Sequence, residues 1–101
     1  MPHPDFDDLP LHDALLQSVE MLWEEKLCRL HLEAFIHKGQ RALAHLLEFQ
    51  AVTALDVPHH EPWGPSIFVN SVSTSLGWFE VKMQSGDIIR VAAEGFSFVA
   101  L

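Results

Sequence analysis

The chain has 101 residues, the length of one ordinary domain, and 49% of them are apolar, enough for a core without disulfides or a structural metal. Its 14 Asp and Glu against 6 Lys and Arg leave a formal net charge of −8, which repels phosphate backbones and argues against a nucleic-acid partner. The cations are scattered along the chain as Lys26, Arg29, Lys38, Arg41, Lys82 and Arg90, so no basic patch offsets that repulsion.

Residues 1–10, MPHPDFDDLP, set Asp5, Asp7 and Asp8 between prolines and read as an acidic, solvated arm ahead of a single β-rich domain over 11–101. Residues 11–49 are rich in helix formers, and Leu15, Val19, Leu22, Leu30 and Ala34 loosely follow a helical spacing, so an α+β fold with a helix inside 11–49 is the alternative. Strand periodicity is clearer. Cys28, Leu30, Leu32, Ala34 and Ile36 alternate with Arg29, His31, Glu33, Phe35 and His37, and only Phe35 breaks the pattern. Upstream, Leu15, Val19, Met21 and Trp23 share a parity, and Glu24, Glu25 and Lys26 make a polar turn, which predicts an antiparallel pair. A third strand is expected from Arg41 to Phe49.

Beyond Asp56, three prolines, a glycine and two histidines predict a loop to Pro65, followed by a strand over 66–73. Phe79, Val81 and Met83 alternate with Trp78, Glu80 and Lys82. Ser85, Gly86 and Asp87 carry turn chemistry, Ile89, Val91 and Ala93 continue one face, and FSFVAL closes the chain as a last strand. The sum is a mainly β fold, an antiparallel meander of about six or seven strands bent into a half-barrel or a small sandwich.

Few residues point to catalysis. Ser66 follows Gly64, but Phe68 stands where a nucleophile elbow needs a second glycine and a strand follows instead of a helix, so local backbone bonding explains it better. The seven histidines include His31 and His37 on the polar face of a strand and a His59–His60 pair in a loop. None forms a tight ligand motif, and no metal or other cofactor is expected. Cys28 lies on the apolar parity, where a buried thiol is inert. It has no partner for an internal disulfide; with no secretory signal and no apolar run long enough to span a bilayer, a cytoplasmic protein without membrane association is expected.

His12 and Asp13 would serve as an acid–base pair if both faced one pocket, but adjacent residues of a strand point to opposite faces. Asn70 interrupts an apolar strand and needs hydrogen-bond partners if its face is buried. Trp63, between Pro62 and Pro65, is either a plug over the end of the core or an anchor for a partner, and the plug is the simpler reading. His12, Asp13, Trp63, Ser66 and Asn70 are therefore the candidate binding residues.

The segments LHDALL at 11–16, EFQAV at 48–52, EPWGPS at 61–66 and MQSGDIIRV at 83–91 resemble a pattern of small uncharacterised bacterial proteins with one β-rich domain. Some similar small acidic proteins are immunity proteins that neutralise a neighbouring toxin. The resemblance implies a β fold for the first half and brings no catalytic residue. The expected function is non-enzymatic protein binding, with a basic toxin or a second copy as partner. The other class is a small-molecule or metal-binding domain with its pocket at the end of the sheet.

Overall fold

A computed structural model of the chain describes residues 4–36, 39, 41–58 and 68–101. Among these residues one helical turn, α1 (Pro4–Asp7), is followed by eight strands: β1 (Leu15–Leu22), β2 (Leu27–Ala34), β3 (Leu43–Gln50), β4 (Ala54–Asp56), β5 (Val69–Ser75), β6 (Trp78–Met83), β7 (Ile88–Ala92) and β8 (Gly95–Ala100). They form two open antiparallel sheets, ordered β1-β2-β3-β8 and β4-β7-β6-β5. The fold is mainly β, and strands occupy the stretch where a helix was the alternative.

Alternation sets which faces meet. Cys28, Leu30, Leu32 and Ala34 of β2, Leu47 and Phe49 of β3, Phe79, Val81 and Met83 of β6, and Ile89 and Val91 of β7 are all buried in one shared core. In β1 an extra residue between Leu16 and Ser18 shifts the register, so Leu16, Val19 and Met21 face inward opposite Leu32, Leu30 and Cys28. A parity counted straight through Gln17 therefore puts Leu15 on the wrong face. Trp23 leaves the strand altogether. It opens the four-residue turn to β2, which Lys26 closes at φ +56°.

Strand order departs from a simple meander at one corner. After β3 the chain turns at Ala51, whose φ is +53°, and enters β4 in the other sheet, while β7 passes into β8 in the opposite direction. The two crossings are tied together: Glu94 N–H donates to Gln50 O at 3.0 Å and Thr53 N–H donates to Ala92 O at 2.8 Å. The short β4 pairs with β7 and carries too few residues for an alternation to reveal it.

The opening segment differs from a solvated arm. Asp7 and Asp8 are exposed, but Phe6 is fully buried, with ring centroids 4.8 Å from Phe79, 5.1 Å from Phe96 and 5.9 Å from Phe49. These partners come from both sheets, so Phe6 fills the gap between them. Thr74 Oγ1 donates to Asp7 Oδ1 at 3.3 Å and holds α1 against β5. A fully buried ring outweighs the polarity of its neighbours in sequence.

Two predictions follow from these contacts. Phe6→Ala lowers stability by about 3–5 kcal/mol, because it removes the ring and leaves a cavity between the sheets; a urea midpoint close to the wild type would contradict this placement. Leu76 and Gly77 link β5 to β6 with φ +51° and +84°, and Leu76 is almost wholly exposed. Leu76→Asn therefore raises stability by about 1 kcal/mol, since asparagine tolerates the left-handed region and no packing is lost. Thermal melts of the two proteins check it.

Candidate functional site

The structure brings three of the candidate residues together. Asp13 adopts φ +64° in the bend before β1, so His12 and Asp13 do not point apart as they would in a strand. His12 Nδ1 lies 2.8 Å from Asn70 O, which fixes that nitrogen as the donor, and His12 Nε2 stands 3.6 Å from Asp13 Oδ2. Gln84 Nε2 donates to Asp13 Oδ1 at 2.6 Å and to Val69 O at 3.3 Å. Asp13 N–H donates to Val69 O, and Val69 N–H to Ala14 O, both at 2.8 Å.

This cluster joins β1, β5 and the β6–β7 hairpin. Asn70 sits at the register shift between Val69 and Ser71, with its side chain exposed, so the polar residue interrupts no buried face. The His12 and Asp13 side chains are 72% and 59% exposed, and bulk water screens charges at that depth. Their geometry suits a structural latch better than proton transfer in an excluded pocket. Trp63 and Ser66 lie outside the described residues, as do His3, His37, His59 and His60. Among the described residues no three His, Cys, Asp or Glu side chains converge on a point where a metal ion would sit.

A second place was not evident from the sequence. The turn after β1 and the segment leading into β4 enclose a cleft of about 170 Å³ lined by Met21, Trp23, Lys26, Val52, Ala54 and Leu55. Trp23 is 76% exposed at its rim. Val52 N–H donates to Lys26 O at 2.9 Å, joining the two walls at the base. Glu24, Glu25 and Asp56 are exposed around it, so the surroundings are acidic despite Lys26. The signal available in the sequence was the Trp-Glu-Glu-Lys order, a large apolar ring at the head of a charged turn.

Two of the remaining cations are engaged on the outer faces of the sheets. Arg29 Nε donates to Glu48 Oε2 at 2.8 Å and its Nη1 lies 3.7 Å from Glu20. The bond from Arg29 holds the Glu48 carboxyl below the usual carboxylate range, and the same bond raises the guanidinium. Arg90 Nε lies 3.0 Å from Glu80 Oε2. No protein-family model, curated protein or solved structure matches the chain.

Cys28 is fully buried in the core, and burial pushes its thiol from the ordinary 9.0 to about 11. The folded state thus keeps its proton in a range where the unfolded chain loses it. The contribution to stability is constant below pH 9.0, then declines as pH rises to about 11. Relative to Cys28→Ala, the wild type loses stability only across that alkaline interval. Equal pH slopes for the two proteins in urea titrations would refute the assignment.

Proposed function

We propose that this chain is a non-enzymatic protein-binding module of the immunity type, taking a basic protein partner at the Trp23 cleft. The observation that carries this reading is Trp23 itself, 76% exposed beside a recess that Met21, Val52 and Leu55 line together with Lys26 and Thr53. An indole left in water in a small domain forgoes a large burial, and tryptophan is among the residues that dominate binding energy when a partner covers them. The exposed Glu24, Glu25 and Asp56 supply a polar rim of one sign, and the net charge of −8 steers a cationic protein towards it. A buried cysteine with no disulfide accords with a reducing cytoplasm.

A ligand-binding reading rests on the convergence of His12, Asp13 and Asn70. The exposure of that cluster and the closure of its hydrogen bonds within the protein make it the weaker one.

The test is titration of the purified protein against any basic toxin domain that a neighbouring gene encodes, together with protection of cells expressing that toxin. Binding in the nanomolar range is expected, weakening as salt rises. Trp23→Ala raises Kd at least about 30-fold, the effect of losing a central aromatic anchor. Absence of binding and protection, or an unchanged Kd in the variant, overturns the proposal.

A further inference from the structure

An indole that is 76% exposed has a ring face open to water, and the electron-rich face of tryptophan is the best side-chain surface for a cation. The charged groups around Trp23 have the matching sign. Glu24 and Glu25 follow it in the β1–β2 turn and Asp56 ends β4, all exposed, against the single ammonium of Lys26. Lys26 also enters the wall through its backbone, since its carbonyl accepts from Val52 N–H. Three carboxylates against one cation make the mouth of the cleft a place where positive charge gains and negative charge loses.

Deeper in, the lining is apolar. Val52 is buried, Met21 and Leu55 are half-buried and packed on the core, and Thr53 Oγ1 is already engaged as a donor to Ala92 O at 3.4 Å. The space is about 170 Å³, room for one long side chain; an α-helix, about 10–12 Å across, does not enter it. A fitting occupant has an apolar stem to lie on Met21, Val52 and Leu55 and a cationic head that stays at the rim. Lysine and arginine both have this form. They differ at the head. Ammonium is compact and strongly hydrated, whereas guanidinium is planar, weakly hydrated, stacks on an indole and presents paired donors to a carboxylate. An aliphatic residue would fill the recess and leave the carboxylates with nothing in return for lost water.

We propose that the Trp23 cleft takes one arginine side chain of a basic partner protein, its methylene stem along Met21, Val52 and Leu55 and its guanidinium stacked on the indole among the acidic groups. The proposal rests on the reading of this cleft as the partner site and adds the chemistry of the group that enters it.

The probe is a capped tripeptide, acetyl-Gly-Arg-Gly-amide, titrated at low salt into the isotope-labelled full chain and followed by amide shifts at Val52 and Leu55. These shifts saturate in the millimolar range, and Trp23→Ala weakens the binding at least about tenfold. Trp23 is exposed, so that variant keeps the fold, as circular dichroism checks. Citrulline in place of arginine keeps the planar shape without the charge and binds at least about fivefold more weakly. Lysine keeps the charge without the plane and also binds more weakly. Glu25→Gln combined with Asp56→Asn lowers affinity for the arginine peptide at least about threefold. Absence of saturable shifts, equal affinity for the citrulline or lysine peptide, or shifts unchanged in Trp23→Ala overturns the inference. A toxin that binds through Trp23 while the arginine peptide does not bind removes the arginine and leaves the protein-binding reading standing. An arginine peptide that binds where no toxin does has the reverse effect.

Discussion

Two strands that change sheet side by side are the constraint on which this domain depends. Where β3 turns into β4 and β7 turns into β8, the bonds Glu94 to Gln50 and Thr53 to Ala92 keep the crossings in step. The sheets are thereby two halves of a folded ribbon, and their inner faces must meet. That meeting is what assembles Phe49 and Phe96 from one sheet with Phe79 from the other, at centroid separations of 5.2 and 5.7 Å. Phe6 completes the group from a segment outside both sheets. A core built this way has a high proportion of contacts between residues distant in sequence, the topology that folds slowly relative to local helical packing.

The same corner shapes the surface beside it. The β1–β2 turn reaches past the end of its sheet and is bonded to Val52 just beyond Ala51, which creates the Trp23 cleft. Among the described strands β8 pairs with β3, while β7, from which it continues, lies between β4 and β6 in the other sheet. The cleft sits at one end of the four-stranded sheet, between the β1–β2 turn and the corner where β3 passes into β4. The His12–Asp13–Gln84 cluster lies apart from the cleft; it pins the start of β1 to β5 and the β6–β7 hairpin.

Much of this was legible in the sequence where alternation runs unbroken. Cys28 to Ala34, Phe79 to Met83 and Ile89 to Val91 show their buried faces directly, because period-two burial leaves period-two composition. What escaped depends on backbone conformation that side chains do not advertise. Ala51 and Asp13 take positive φ without the glycine that usually signals it. The sheet crossing and the approach of His12 to Asp13 were hidden with them. The extra residue at Gln17 broke the parity of β1, and Trp23 looked like one more inward residue because the strand's end was invisible to the count. Phe6 was masked by its setting of prolines and aspartates. Trp63 and Ser66, two of the candidate binding residues, fall outside the described part of the chain.

The bond from Val52 to Lys26 has one more consequence. It ties the β1–β2 turn to the corner where β3 passes into β4, so the two walls of the recess are held together at that point. In the proposed complex, part of the entropy of ordering this surface would already have been spent when the chain folded. Partners that fit would then differ mainly in how long they stay, and variation in this wall would alter residence time far more than the rate of encounter.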